Sequence, residues 1–575
     1  MARANDEAAA LIQELADLLS ITGGDAFKIR AYEKAARAIA GHPDDISGLD
    51  LAGLRAIPTV GEAIAKKVLD YNETGTIRQV EELRTQIPAG VRALTAIPTL
   101  GPKKALAVYE ALGISSVDEL AAAIKEGRLK GLKGFGAKTE ENILRGIELM
   151  RSAGERVLVD AAASVADEVV AALSGLPQVE RCEHAGSLRR MRETIGDVDV
   201  LAASRDPHPI MEAFTALPFV AEVIASGDKK TSVRTAKGLQ VDLRVVPPES
   251  WGAALQYFTG SQAHNIRTRE IAVKAGLKLS EYGLFDAESD ELIVSETEEE
   301  VYGRLGLPWV HPTLREDAGE IEAALAGELP RLVTVGDLRG DLHSHTDLTD
   351  GVASLEDMVA AAHARGLEYY AITDHAPNLV MQRMTDEKML AQRAQVAELQ
   401  KRYRDLTLLH GTELNIDPDG GVDWDAGFLS GFDVCVASVH SHFTQDQAAM
   451  TRRLVRACEN PHVHVIGHPT ARSIGRRPPV DADWDEVFRA AARTGTAMEI
   501  DSFPDRLDLP ADLVRRAKRL GVKFSVDTDA HSLGHHRNIR YGVGTAQRGW
   551  LTPDDVINTW PLDRLREFLR KGQAG

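Results

Sequence analysis

Three carboxylates in the middle of the chain have the types and spacing to hold hard cations. Asp197 and Asp199 lie in the run Asp197-Val198-Asp199-Val200-Leu201, where β-branched and apolar residues alternate with the acids. In a strand, residues i and i+2 project from one face, so the two carboxylates point together. Asp242 lies in a second β-branched run, Gln240-Val241-Asp242-Leu243-Arg244-Val245. Three carboxylates on adjacent strands form an oxygen-donor set for two divalent ions, which suits an in-line displacement at phosphorus. A bare Asp-x-Asp is common on solvent-facing strands. Its surroundings here argue for chemistry. Gly186-Ser187 stands upstream, where main-chain amides and a hydroxyl can cradle a phosphate. Arg189 and Arg190 can neutralise a polyphosphate.

A second concentration of chemistry lies near the other end. Thirteen of the 18 histidines follow residue 336, which asks for a chemistry distinct from the carboxylate site. His343 and His345 are i, i+2 and share a strand face, a geometry for one metal. Asp350 sits in a Thr-Asp-Gly turn. His375, Glu413, His440, His468, Asp529 and His531 each lie in or close a short apolar run. Helical stretches such as 355–365, 386–405 and 483–494 separate these runs. Strand–helix alternation with polar residues at strand ends is the pattern of a (β/α) barrel site. Mixed imidazole and carboxylate donors suit Zn²⁺, Mn²⁺ or Fe²⁺ more than Mg²⁺. Such a cluster activates water and clamps a phosphodiester, and Arg472 and Arg506 are placed in sequence to hold its phosphate.

The positioning elements follow from the rest of the chain. At 575 residues several domains are expected, and 44% hydrophobic residues are enough to give each a core. Three cysteines with no Cys-x-x-Cys pair argue against a disulfide framework and fit a reducing cytoplasm. The N-terminus is expected to carry no signal peptide, and no apolar run is long enough to span a bilayer. The net charge of −19 speaks against a broadly basic nucleic-acid surface. Residues 1–150, however, hold 19 Lys and Arg against 21 Asp and Glu, so amide-rich local contacts to DNA are compatible with the charge.

Those 150 residues read as helical and contain a repeat. Ile57-Pro58-Thr59-Val60-Gly61, Ile97-Pro98-Thr99-Leu100-Gly101 and Leu132-Lys133-Gly134-Phe135-Gly136 each precede a helix. The pattern resembles the helix-hairpin-helix, whose turn glycines let backbone amides grip a phosphate without reading sequence. Gly61, Gly101, Gly134 and Gly136 are the expected DNA contacts. Thr59 and Thr99 replace the first turn glycine in two copies. Downstream, 157–173 reads as helix, and strands are expected near 179–185, 197–202, 220–226 and 239–246.

Gly-Ser-x-Arg-Arg, Gly-Asp-x-Asp-Val, Asp-x-Arg and Tyr-Phe-Thr-Gly-Ser together resemble the palm and thumb of family X DNA polymerases. The set His-x-His, Thr-Asp-His, Glu, Ser-Val-His, Gly-His-Pro and Asp-Ala-His resembles the PHP (polymerase and histidinol phosphatase) domain. With both on one chain, nearly all of it resembles the bacterial branch of family X. The resemblance implies an all-α helix-hairpin-helix region, an α+β nucleotidyltransferase palm and thumb, and a distorted (β/α)7 barrel. The expected divisions are 1–85 and 86–150 (helical DNA-binding and fingers-like), 151–250 (palm), 251–315 (thumb), 316–335 (linker) and 336–575 (PHP).

The resemblance also implies roles. Gly186, Ser187 and Arg190 would hold the β- and γ-phosphates of a deoxynucleoside triphosphate. Asp197, Asp199 and Asp242 would bind Mg²⁺ or Mn²⁺, with Asp242 assisting deprotonation of the primer 3′-hydroxyl. Tyr257, Phe258 and Gly260 would shape the sugar pocket, and Asn265 and Arg269 would touch the nascent base pair. Gln240 stands where many members carry an arginine, so a charge tuning Asp242 is missing. Lys67 aligns with a lysine that in some members attacks an abasic sugar, while a surface helix lysine is the plainer reading. The nine positions His343, His345, Asp350, His375, Glu413, His440, His468, Asp529 and His531 would bind up to three Zn²⁺ or Mn²⁺. The expected protein is a monomeric, cytoplasmic repair polymerase that fills short gaps on primer-template DNA, its PHP domain removing 3′ nucleotides. Two alternatives stay open: a DNA-end binding scaffold with weak polymerase activity, and a PHP domain that hydrolyses small phosphomonoesters.

Overall fold

The computed structural model describes residues 3–42, 45–87, 89–95, 97, 100–132, 134–153, 156–379, 382 and 384–571. Up to Ala153 all described regular structure is helical. Asp25 caps the helix Ala26–Ala40 by accepting from the amides of Phe27 and Lys28, while Gly75 and Gly113 close Glu62–Thr74 and Pro102–Leu112 in the left-handed conformation. One apolar cluster runs from Ile12 and Leu15 through Ile39, Ile64 and Val108 to Ile143 and Ile147, so the expected division at 85 crosses a shared core. No described helix is long and apolar enough to cross a membrane.

After the helix Val159–Ser174 the chain builds a five-stranded sheet in the order Arg181–His184, Asp197–Ala203, Gln240–Val246, Lys230–Thr235, Val220–Ser226. The polar strand Lys230–Thr235 was not among the four expected from sequence. Asp197–Ala203 and Gln240–Val246 are parallel, with Asp199 paired to Asp242. Val198, Val200, Val241 and Leu243 face the core beneath them.

The helices Trp251–Thr259 and Gln262–Lys274 precede a three-stranded antiparallel sheet. Residues 316–335, expected as a linker that is acidic and then helical, carry the helix Glu320–Ala326, whose Ile321 and Ala324 join the apolar cluster of Val301, Tyr302 and Leu314. Their acidity has local uses. Glu320 is buried against His264 Nδ1 at 2.7 Å, and Glu316 accepts from Arg190 and Arg548.

The last region is a nearly closed barrel of seven parallel strands in chain order, from Gly340–Asp341 to Phe524–Asp527. Its first and last strands do not pair by a regular ladder. Side chains bridge the seam. Asp527 accepts from the amide of Leu342 at 2.8 Å, and Asp341 accepts from the amide of Thr528 at 3.2 Å. Asn558 acts as a short substitute strand: its Nδ2 donates to the carbonyls of Gly340 and Val526, and its Oδ1 accepts from the amide of Val526. Replacing Asn558 with Leu strands these buried backbone groups and is expected to cost on the order of 3 kcal/mol. Urea unfolding followed by tryptophan fluorescence checks this, and an unchanged midpoint contradicts the role given to the seam.

Candidate functional site

The register of the central sheet assembles the first site. Asp199 and Asp242 oppose one another on parallel strands, and Asp197 lies two residues earlier on the same face. One oxygen from each of the three lies within 4.8 Å of the others. An all-oxygen donor set of this size suits Mg²⁺ or Mn²⁺. Burial, and then the charges of Asp197 and Asp242, push Asp199 up to about 7. Asp242 moves the other way. Burial would raise it, but hydrogen bonds from Lys230, Gln240 and Ser232 outweigh burial and hold it below the ordinary carboxylate range.

Lys230 corrects the reading of a missing charge at Gln240. Its Nζ lies 2.6 Å from Asp242 Oδ2, and Gln240 Nε2 donates to Asp242 Oδ1 at 2.9 Å. The cation comes from the strand absent from the sequence reading, on which Ser232 is paired with Asp242. The alternation Lys-Thr-Ser-Val-Arg-Thr was its only signal.

A cavity of about 420 Å³ opens beside these acids. Gly186, Ser187, Arg190, Tyr257, Phe258, Gly260, Asn265 and Arg269 all line it, together with Asp197, Asp199 and the unanticipated Gln262. Gly186 has φ 62°, and a Cβ there would come within 2.3 Å of Asp199 Oδ2, so only glycine lets this turn approach the carboxylates. Tyr257 and Phe258 meet edge to face at 5.1 Å, and the Arg244 guanidinium lies over Phe258. Asn265 is held by Gln256 and by the carbonyl of Tyr257, and Arg269 donates to the carbonyl of Asn265. Arg189 is not in the cavity. It pairs with Glu298, at 2.9 and 3.0 Å, beside fully buried Arg315. The two guanidiniums overcome burial and hold Glu298 down to about 2, so Arg189 fastens thumb to palm.

At the N-terminal repeats, Gly61, Gly101 and Gly136 each precede a helix, and a Cβ at any of them, or at Gly134, would meet nothing within 4 Å. That leaves open space beside these turns, at helix N-termini whose first amides have no partner within their own helix. Thr59 adopts φ 65°, so the first hairpin keeps the left-handed turn despite lacking glycine. Thr99 and Lys133 lie outside the described residues. Lys67 is half-buried, while its neighbour Lys66 pairs with Glu62 at 2.7 Å.

All nine barrel residues converge. Glu413 is central: its Oε1 lies 3.0 Å from both His440 and His468, and its Oε2 lies 2.9 Å from His375 and 3.5 Å from His343 and His345. Asp350 is within 3.9 Å of His345, His375 and His531, and Asp529 is within 3.7 Å of His343, His345 and His531. Three overlapping groups have metal-binding spacing. The donor set also fits cations electrostatically. His343 Nε2 and His345 Nε2 face each other at 3.2 Å, and Asp350 Oδ1 and Asp529 Oδ1 are buried without a well-formed hydrogen bond. Burial would lower His343 and His375, yet the surrounding carboxylates outweigh it and raise both, a field that favours positive charge at this place.

Neighbours orient these ligands. Glu499, from the strand Ala497–Asp501, lies 2.6 Å from His343 Nδ1 and also accepts from the amide of His468. Asn415 Oδ1 lies 2.8 Å from His440 Nδ1 and is itself held by Asp423. The only sequence signal for Glu499 was an acid inside an apolar run. Arg472 departs from its expected role. It donates to Glu193 and to the carbonyls of Arg506 and Leu507, and so joins barrel to palm. Arg506 stays beside the cluster, 3.9 Å from Asp529.

Family comparisons agree with this layout. A DNA polymerase beta thumb matches residues 254–316, helix-hairpin-helix descriptions match 3–77 and 91–148, and a PHP domain matches 341–502. The DNA polymerase/3′-5′ exonuclease PolX of Bacillus subtilis is 34% identical over 98% of each chain. A probable phosphatase of Thermoanaerobacter is 27% identical over 40% of this chain and 94% of its own length. Rat DNA polymerase lambda is 25% identical over 51% of this chain and 53% of its own. The chain belongs to the bacterial family X DNA polymerases that carry a C-terminal PHP domain.

Two outcomes test the electrostatics. A cation must displace the proton on Asp199, so apparent Mn²⁺ affinity at the three acids should level off above about pH 8 and fall by roughly tenfold per unit below about pH 6. Electron paramagnetic resonance titration of free Mn²⁺, with the Asp197→Ala/Asp199→Ala protein as the blank, reads this, and a flat affinity from pH 5 to 8 contradicts it. Glu499→Gln should weaken metal retention in the barrel by about 10- to 100-fold. Elemental analysis after dialysis against a chelator measures that loss, and full retention would remove Glu499 from the account.

Proposed function

We propose that this polymerase fills short gaps in damaged DNA in the cytoplasm, as a monomer, and trims 3′ ends with its barrel domain. Asp199, which lines the 420 Å³ cavity and is paired in register with Asp242, carries the polymerase half of this reading. In it, the amides and hydroxyl of Gly186-Ser187 and the guanidinium of Arg190 take the triphosphate. Tyr257 and Phe258 pack beside the deoxyribose, where a 2′-hydroxyl would clash. Asn265 and Arg269 meet the new base pair on its minor-groove side, where readout is degenerate and suits template-directed synthesis. Asp197, Asp199 and Asp242 would hold Mg²⁺ or Mn²⁺, which when bound would supply charge neutralisation for phosphoryl transfer. Lys230 keeps Asp242 ionised, and Asp242 assists removal of the hydroxyl proton. Gly61, Gly101, Gly134 and Gly136 offer main-chain amides to the DNA backbone. Lys67, half-buried on its helix, carries no lyase assignment here.

The nine-residue cluster would hold up to three Zn²⁺ or Mn²⁺ ions, which when bound would supply activation of water against a phosphodiester. Glu499 and Asn415 fix the imidazoles, and Arg506 stands beside the cluster to take a phosphate oxygen. The name of the Bacillus relative supports 3′-5′ exonuclease action. The phosphatase names of the shorter relatives support a second substrate class for the barrel, a phosphomonoester. The complete acid triad and its Lys230 counter-charge favour an active polymerase over a binding scaffold.

On a gapped, 3′-labelled DNA, Asp197→Ala/Asp199→Ala should lower nucleotide addition at least about 10³-fold and spare 3′ trimming. His343→Ala/His345→Ala should do the reverse. Addition surviving the first change, or trimming surviving the second, refutes the corresponding assignment. Competition of the trimming reaction by a small phosphomonoester separates the two barrel substrates.

A further inference from the structure

The loop after the Gly186-Ser187 turn does not rest on the palm alone. Met191, at φ 51°, lies against Gly544 of the barrel helix Ile539–Arg548, where a Cβ would come within 2.8 Å of Met191 Cγ. Arg548 Nη1 donates to the main-chain carbonyl of Arg190 at 2.9 Å and to Glu316 Oε1 at 2.8 Å. The same Glu316 oxygen accepts from Arg190 Nε at 3.2 Å, and Arg190 Nη1 donates to the carbonyl of Thr259. The side chains of Arg190, Glu316 and Arg548 are only 13, 22 and 14% exposed, so these charges are poorly screened. With Nε and Nη1 tied back, Arg190 Nη2 has no protein hydrogen bond among the described residues, while Arg190 lines the 420 Å³ cavity.

We propose that Arg548, a residue of the barrel domain, is a positioning residue for the polymerase: with Glu316 it fixes the rotamer of Arg190 and the backbone of the triphosphate turn. The barrel domain is then a structural part of the nucleotide site as well as a second enzyme. A guanidinium that is already oriented loses less rotamer freedom when the triphosphate binds. Removing the brace therefore weakens nucleotide binding more than it slows the chemical step.

This inference rests on the cavity being the nucleotide pocket, and the test separates the two. Full-length protein is assayed for single-nucleotide insertion on gapped DNA with Mn²⁺, and in parallel for 3′ trimming and for barrel metal content. Arg548→Ala should raise the nucleotide KM about five- to tenfold with kcat within about twofold, and leave trimming and metal content unchanged. Arg548→Lys, which can keep one of the two bonds, should fall between. Adding Arg548→Ala to Arg190→Ala should cost little beyond Arg190→Ala alone, because the first acts through the second. Gly544→Ala displaces Met191 with Arg548 intact and should also raise KM, which keeps the proposal testable if Arg548→Ala folds poorly. An unchanged KM in Arg548→Ala, beside a raised KM in Arg190→Ala, overturns the brace. Equal losses of insertion, trimming and metal overturn it too, since they report a damaged fold. An unchanged KM in Arg190→Ala overturns the pocket reading and this proposal with it.

Discussion

Carboxylates of like charge held within a few ångströms of each other must be neutralised, and the architecture of this polymerase follows from how that is done. In the palm, the parallel register sets Asp199 against Asp242, and no side-chain rearrangement can separate strands locked by a ladder. Lys230 neutralises Asp242, while burial, and then the neighbouring acids, raise Asp199 to about 7. The two carboxyls are therefore pushed in opposite directions. The barrel solves the same problem with imidazoles. Glu413, Asp350 and Asp529 are interleaved with six histidines, and these carboxylates raise three of them, His343, His375 and His531, against burial.

Both solutions depend on elements far from the chemistry. Apart from Glu413, which lies within the strand Thr407–Asn415, the barrel ligands follow the strand ends, and the incomplete seam between the first and last strands is closed by Asp341, Asp527 and Asn558. The strand Ala497–Asp501 gives no candidate ligand, yet its Glu499 reaches both His343 and the backbone of His468. In the thumb, Arg189 and Arg315 converge on Glu298, a buried charge cluster that is costly to break once formed. It keeps Tyr257 and Phe258 beside the carboxylates instead of letting the thumb drift.

Much of this was legible in the sequence because periodicity carries it. Asp-x-Asp on a β-branched run fixes a common face, and His-x-His does the same in the barrel. What escaped depends on tertiary context. Lys230 sits on a polar strand that resembles a loop, so the arginine missing at position 240 looked like a lost charge when it was a relocated one. Arg472 has the type of a phosphate ligand, but its partners, Glu193 and two carbonyls, are brought to it only by domain packing. Residues 316–335 read as a linker because acids outnumber apolar residues early in the segment, and nothing local reveals that Glu316 meets half-buried guanidiniums and Glu320 a buried imidazole. Thr59 shows the converse: a substitution that breaks a motif on paper keeps the turn in space.

Anomalous scattering at the manganese edge, from crystals of the full-length protein grown with Mn²⁺, bears most directly on the claim that two separate carboxylate clusters exist to gather cations. A peak is expected between Asp199 and Asp242, with a distinct group of peaks inside the ring centred on Glu413. Manganese bound elsewhere, with Lys230 still on Asp242 and the histidine ring empty, would contradict that claim.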